Sequence, residues 1–332
     1  MTADGSVGMP GGLDRLDGPD AAGEPEVVVR PDAASGTRAA AEAIADALSR
    51  VIASRGIARW ATTGGSAPGP IYRALIAPPL RDRVDWTRVD LWFGDDRFVP
   101  RDDPLSNVRL VDEILLASDG GVPIAPEHVH PVPVDAVLQG AGGPAEAARR
   151  YADELAAVVP TLRGWPAFDL VIVGIGPDGH VLSVFPGSGA IGAPETVLPI
   201  PAPTHVEPHV PRITLNPGML DVAERLFAVA FSGSKAGILG EVFGPVRDDA
   251  RWPSQRVRRA GAVWFLDEAA IGDTRTAFGE PRALPQAWRL GSKPNLRQMH
   301  DEWRRFWMND QPSHLTPYRV HGGVGPASSS IP

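Results

Sequence analysis

Apolar and polar positions fall into blocks of two kinds along this chain. Short apolar runs at 26–30, 57–62, 89–93, 168–173, 226–231 and 262–266 are too brief for helices and read as buried strands, as does 212–215. Between them lie longer segments with apolar residues at helical spacing: 33–55, rich in alanine, then 71–76, the neighbourhood of 108–116, 144–159 and 235–243. Strands alternating with helices over about 250 residues predict an α/β fold, a mostly parallel Rossmann-like sheet with helices on both faces. Ligands of such sheets bind beyond the carboxyl ends of the strands, so the residues just after each strand carry the interest.

The pattern lapses near the ends. Residues 1–24 form a Gly/Pro/Asp-rich leader expected to be disordered, and 25–272 make the α/β domain. From 273 to 332 an extension is expected, with one amphipathic helix at about 295–308 that carries Trp303, Phe306 and Trp307, then a Gly/Ser/Pro-rich disordered end. This C-terminal helical appendage is expected to dock on the domain, on a second copy or on a partner protein. No internal repeat is present.

Composition narrows the function classes. A formal charge of −8 with no sustained basic stripe argues against nucleic acid or an anionic membrane as the main partner, so an anionic ligand must be met by a local pocket. Without cysteine, disulfides, thiolate metal sites and cysteine nucleophiles are excluded. The first residues show neither a basic n-region nor an apolar h-region, and no run of eighteen apolar residues occurs, which makes a cytoplasmic location the expectation. Of 32 basic residues only Lys235 and Lys293 are lysine, which draws attention to both.

Four segments carry candidate chemistry. Thr62-Thr63-Gly64-Gly65-Ser66-Ala67-Pro68 lies where a strand turns into a helix; Gly64 and Gly65 let an anion approach the backbone, Ser66 suits an N-cap and Pro68 the first helical turn. Its alternative is an ordinary turn. Gly94-Asp95-Asp96-Arg97 comes directly after the 89–93 strand, with Ser106-Asn107 downstream; an arginine flanked by aspartates can be held in place while presenting donors to a phosphate or a sugar hydroxyl. The alternative is a solvated charged loop.

Gly174-Ile175-Gly176-Pro177-Asp178-Gly179-His180 formally matches the dinucleotide pattern G-x-G-x-x-G. That fingerprint needs a long helix immediately after it, whereas Pro186 and Gly187 come soon after His180, and Pro177 removes an amide from the loop. A tight turn that lifts His180 above the sheet edge fits better, and an imidazole there suits a general base at neutral pH, with Asp178 as the group to orient it. The alternative is a structural histidine capping a turn. His128 and His130 alternate along an expected edge strand, and His205 and His209 sit among prolines; no spacing proposes a zinc site. Fourth, Ser232-Gly233-Ser234-Lys235 stands at a strand-to-helix junction, after Pro211-Arg212 at the start of another strand. Lys235 can meet a phosphate as a point charge, or simply lie in a surface loop.

In this order the four segments resemble the 6-phosphogluconolactonase family, of the glucosamine-6-phosphate deaminase-like α/β proteins. The likeness spans about 25–272; its most specific element is Gly-Pro-Asp-Gly-His with Ser183-Val184-Phe185-Pro186-Gly187 after it, supported by Gly-Gly-Ser-x-Pro, Gly-Asp-Asp-Arg, Arg-Ile-Thr-Leu and Trp264-Phe265-Leu266-Asp267. The resemblance implies hydrolysis of 6-phosphoglucono-1,5-lactone to 6-phosphogluconate, second step of the oxidative pentose phosphate pathway, with no cofactor and no metal. It implies catalytic roles for His180, Asp178 and Arg97. It implies substrate contacts from Gly64, Gly65, Ser66, Asn107, Arg212 and Lys235, with Asp95 orienting Arg97. Three departures stand out: Asp96 where the family usually has glutamate, Asn216-Pro217 where a threonine is common, and the extension after 272. The rivals are an aminosugar-phosphate deaminase or isomerase of the same fold, whose expected carboxylates are missing here, and a non-catalytic sugar-phosphate sensor.

Overall fold

The computed structural model describes residues 24–272. The leader (Glu24 apart), the extension from 273 and the helix expected at 295–308, with its partner or self-contact, lie outside the described residues. In chain order the elements are β1 (Glu26–Arg30), α1 (Ala33–Arg55), β2 (Ala58–Thr62), α2 (Pro68–Leu75), β3 (Val89–Phe93), β4 (Asp95–Arg97), α3 (Asn107–Leu110), β5 (Val129–His130), α4 (Val134–Gln139) and α5 (Pro144–Val158). The second half holds β6 (Thr161–Leu162), β7 (Trp165–Pro166), β8 (Leu170–Gly174), β9 (Val197–Ile200), β10 (Arg212–Leu215), β11 (Arg225–Ala230), α6 (Ala236–Val242), β12 (Ala262–Asp267) and α7 (Glu268–Ile271).

Seven strands form one sheet in the order β1-β12-β11-β8-β2-β3-β5, and every pairing in it is parallel. Successive side chains of a strand point to opposite faces. Trp60 therefore packs with α1 and α2, while its neighbour Ala61 joins the core under α5 and α6. Phe227 and Val229 likewise face one way and Leu226, Ala228 and Ala230 the other. Both faces are covered, which is why these strands read as unbroken apolar runs.

Helix α1 has local reasons to start and stop where it does. Asp32 caps it, its carboxylate accepting from Ser35 N at 2.7 Å in a capping box, an arrangement that contributes about 1 kcal/mol. Gly56, at φ +84°, ends it and donates to Ile52 O. The buried stripe between, with Ala40, Ala41, Ile44, Leu48 and Val51, packs on the sheet.

The predicted fold class holds, with adjustments. Pro68 does open a helix, but the residue before it, Ala67, is the N-cap and makes no side-chain cap; Ser66 does not fill that role. The segment predicted as a helix at 108–116 is one α-turn and then a π-helical turn at Val111–Leu115. A second, antiparallel sheet, β4-β10-β9, stands outside the parallel one and sets Arg97 opposite Arg212.

Candidate active site

All four predicted segments lie at the carboxyl ends of the parallel strands. After β8 the chain folds back on itself without a helix: Gly176 N donates to His180 O at 2.9 Å, Gly179 N to Gly176 O at 3.1 Å, and Ile175 pairs with Val181. This excludes a dinucleotide loop. A Cβ on Gly176 would run into the His180 ring, so glycine is needed where the imidazole lies back over the turn.

His180 Nδ1 lies 2.5 Å from Asp178 Oδ1, and His180 N also donates to that oxygen at 3.2 Å. Since a carboxylate only accepts, Nδ1 carries a proton, and in the neutral ring the lone pair is on Nε2. Nε2 has no partner among the described residues. The other carboxylate oxygen is 2.9 Å from His205 Nε2. Burial pushes the Asp178 carboxyl up, but the His180 hydrogen bond and charge and the His205 hydrogen bond outweigh it, and its pKa lies well below the ordinary range. Phe185 packs beside both rings, 4.8 Å from His180 and 5.6 Å from His205 between centroids.

The cations gather around this pair. Lys235 lies just beyond β11 and donates from Nζ to Ile175 O at 2.7 Å; burial lowers its pKa, with the Asp178 charge opposing. Arg212 is 3% exposed, donates to Pro208 O at 3.2 Å and lies over the Phe185 ring with Cζ 5.3 Å from its centroid. Its pKa is lowered by burial and by the charge of Arg97. Arg97 donates from Nη1 to Leu105 O at 2.9 Å and to Asn107 Oδ1 at 2.5 Å. The Nε of Arg97 and that of Arg212 are buried without a hydrogen-bond partner. None of these three cations forms an ion pair with a carboxylate among the described residues.

The expected role of Asp95 is corrected. Asp95 Oδ2 accepts from Ser183 Oγ at 2.6 Å, tying the histidine loop to β4, while Asn107 and the Leu105 carbonyl orient Arg97. Asn107 is 3% exposed and also donates to Asp95 O at 2.8 Å, so its amide braces Arg97 from behind. Asp96 binds Asn107 N at 2.7 Å, Arg97 N at 2.8 Å and Ser106 Oγ at 3.2 Å. Burial pushes its carboxyl up to about 7, against the two backbone donors. Gly64 lies on the Asn107 amide so closely that a Cβ would collide with it, which joins the glycine loop to the arginine bracket. Gly65, at φ +91°, and Ser66 are exposed beside it. Nothing local in the sequence links His205 to Asp178; the fold of the 201–211 loop does.

The carboxyl edge of this parallel sheet gathers a carboxylate-bound histidine, cations without carboxylate partners and a glycine turn, and residues 31–265 match the family model described as glucosamine-6-phosphate isomerases/6-phosphogluconolactonase. A 6-phosphogluconolactonase of Streptomyces coelicolor is 35% identical over 263 residues, covering 77% of this chain and 97% of that one. The Mycobacterium leprae protein of the same name is 30% identical over 238 residues, covering 70% and 91%. Among solved structures, 6-phosphogluconolactonase from Trypanosoma cruzi aligns with TM-score 0.67 over 75% of this chain and 97% of that chain at 24% identity. A monomeric glucosamine-6-phosphate deaminase aligns at 0.60, over 74% and 98%, at 16% identity. These structural likenesses speak for the fold; the sequence relatives speak for more. The chain belongs to the 6-phosphogluconolactonase family.

Among the described residues no group of three or more His, Asp and Glu side chains is placed to hold a metal ion, and no helix is long and apolar enough to cross a membrane.

Proposed function

We propose that the chain hydrolyses 6-phosphoglucono-1,5-lactone to 6-phosphogluconate, in the oxidative pentose phosphate pathway, with His180 as the base. The observation that carries this reading is the His180–Asp178 contact of 2.5 Å, which leaves Nε2 as the acceptor, beside cations without carboxylate partners. A lactone is an activated ester and needs no covalent nucleophile. His180 Nε2 takes a proton from water while the water oxygen bonds to C1, and the carbonyl electron pair moves onto its oxygen. The intermediate collapses with cleavage of the bond from C1 to the ring oxygen, which receives the proton held at Nε2. The new carboxylic acid then loses its proton to solvent.

Lys235, Arg97 and Arg212 supply the positive charge that receives the phosphate and steadies the oxyanion, and the amides around Gly64, Gly65 and Ser66 offer further donors. Phosphate binding positions the ring, so its contribution appears in turnover of phosphorylated over unphosphorylated lactone. The family name also covers aminosugar-phosphate isomerases. Asp178 is committed to two histidines and Asp95 to Ser183, which among the described residues leaves neither carboxylate free beside the base for ring opening and favours the lactonase reading.

The test is acid release from freshly generated 6-phosphogluconolactone, measured against spontaneous hydrolysis and against ammonia release from glucosamine 6-phosphate. Accelerated acid release without ammonia is expected. His180→Ala is expected to lower kcat roughly 10²–10⁴-fold with KM little changed. Ammonia release, or near-normal turnover by the variant, defeats the reading.

A further inference from the structure

We infer that His205 is a second histidine of the active centre, a positioning residue that holds Asp178 by its outer oxygen and so fixes the ring of His180. The inference rests on the reading of His180 as the base. Among the described residues Asp178 is the hydrogen-bonded link from His205 to His180, and that carboxylate has other charges around it. Lys235 and Arg212 both act on it electrostatically, from the turn after β11 and from β10. A carboxylate held only by His180 would be free to rotate towards either cation. That rotation would remove the partner of Nδ1 and neutralise a charge that the substrate phosphate needs. The His205 contact of 2.9 Å occupies the second oxygen and opposes the rotation.

The loop that carries His205 is braced for this task. His209 Nδ1 bonds Pro203 O at 2.7 Å, closing the loop around His205, and His209 Nε2 pairs with Glu207 at 3.1 Å. Arg212 pins the loop's far side through Pro208 O. Phe185 meets the His205 ring edge-on at 83° and limits its tilt. Because Asp178 only accepts, His205 donates from Nε2, and its Nδ1 is turned away from the carboxylate. The chain Nε2 of His205, Asp178, Nδ1 of His180 leaves one free nitrogen at each end, one towards the reacting water and one away from it. Asp178 faces His205 across the contact, and Glu207 and His209 pair with each other on the same loop.

By analogy with the outer-shell partners of metal-ligating histidines, which are worth about 10–100-fold, a residue that holds the partner of His180 is worth the lower end of that range. His205→Ala is therefore expected to lower kcat about tenfold with KM within about twofold, and to move the acid limb of kcat/KM upward, since an Asp178 that loses a donor is the better acceptor for the His180 proton. His205→Gln retains an amide donor and removes the titration. It is expected to recover kcat to within about threefold. The experiment measures kcat, KM and the pH profile for wild type, His205→Ala and His205→Gln, with thermal midpoints and the far-downfield proton resonance of His180 Nδ1 tracked in parallel. Full activity and an unmoved acid limb in His205→Ala overturn the inference. So does a loss confined to KM, which would make His205 a substrate contact, or a loss matched by a fall in thermal midpoint and not rescued by glutamine. Wild-type turnover in His180→Ala would instead sink the underlying reading, so the two failures are distinguishable.

Discussion

Both ends of the parallel sheet collect arginine: Arg247, Arg256 and Arg258 at the amino end are paired with carboxylates and Arg259 is held by carbonyls, whereas neither Arg97 nor Arg212 at the carboxyl end has a carboxylate partner among the described residues. At the amino ends of β11 and β12 a cavity of about 390 Å³ is lined by Asp221, Arg247, Asp249, Arg256, Arg258 and Arg259. There Arg256 pairs with Asp221 at 2.7 Å and Asp249 at 3.2 Å, Arg258 with Glu24 at 2.6 Å, and Arg259 donates to the carbonyls of Leu220, Ala223 and Ala260. At the carboxyl ends Arg97, Arg212 and Lys235 have carbonyls and an amide for partners and, among the described residues, no carboxylate. An unneutralised cation out of water is costly, and it persists where a ligand is to supply the missing charge. The arginine-rich hollow at the amino end is thus largely neutralised by its own carboxylates, Arg259 apart, while the cations of the candidate site are left for a ligand to neutralise.

The sharpest way to break this comparison is to exchange one cation at each end for an apolar residue of similar length. Lys235→Met is expected to lower kcat/KM for phosphorylated lactone about 10²-fold, near 3 kcal/mol of transition-state binding. The thermal midpoint should hold or rise, because a half-buried charge has been removed. Steady-state kinetics with calorimetry checks both, and a fall in midpoint alongside intact selectivity for phosphorylated lactone would erase the distinction. Arg259→Met should do the reverse. Three carbonyls, two of them buried, lose their donor, so the loss in unfolding free energy is expected at about 2–3 kcal/mol by denaturant titration, with kcat of the folded enzyme unchanged.

Much of the carboxyl end was legible in the chain because parallel topology puts every strand's next residues on one edge. The residues immediately after 57–62, 89–93, 168–173 and 226–231 were enough to collect Gly64, Arg97, His180 and Lys235. The features that escaped depend on the antiparallel sheet. β9 carries Pro199 and leads into a proline-rich loop, so nothing in its pattern announces a strand, and without it the placement of His205 is invisible. The bracket of Arg97 was misread for a related reason. Two aspartates stand just before that arginine in sequence, but Asp96 points to the other side of the strand from Arg97, and Asp95, two residues before it on the same side, has its carboxylate taken by Ser183; Asp96 is taken by Ser106 and by backbone donors.

Asp96 offers a third, smaller test, through pH. Its folded pKa, pushed up to about 7 from an ordinary 3.8, means that the folded state holds its proton over a range in which the unfolded chain has lost it. Stability attributable to this carboxyl therefore falls as pH rises from about 4 to about 7 and is flat above. Asp96→Asn keeps an acceptor for Asn107 N and Arg97 N and cannot ionise. It is expected to gain on the order of 1–2 kcal/mol at pH 8 and little or nothing at pH 4, by denaturant midpoints at the two values. Equal effects at both would show that the carboxyl is ionised throughout, shielded by the neighbouring arginines.

The smallest effect is expected where the amino end is most conspicuously charged. Arg258 grips Glu24 with two contacts of 2.6 Å, and the hydrogen bond from Arg258 holds the Glu24 carboxyl below its ordinary range. By sign, the pair stabilises the fold above the unfolded glutamate pKa and loses that contribution as pH falls through the lower folded value. Glu24 is nevertheless half exposed, so water and salt screen it, and Arg258 keeps Gly244 O at 2.6 Å and the Phe243 ring after the carboxylate is gone. Glu24→Ala should cost about 0.5 kcal/mol, vanishing in high salt. The charges of the amino end are then redundant, Arg258 having neutral partners in reserve, whereas a carboxylate brought to Lys235 or Arg97 would displace substrate. A loss above about 2 kcal/mol on Glu24→Ala, insensitive to salt, would mean that the amino-end arginines depend on their counter-ions as strictly as the carboxyl-end cations depend on a ligand.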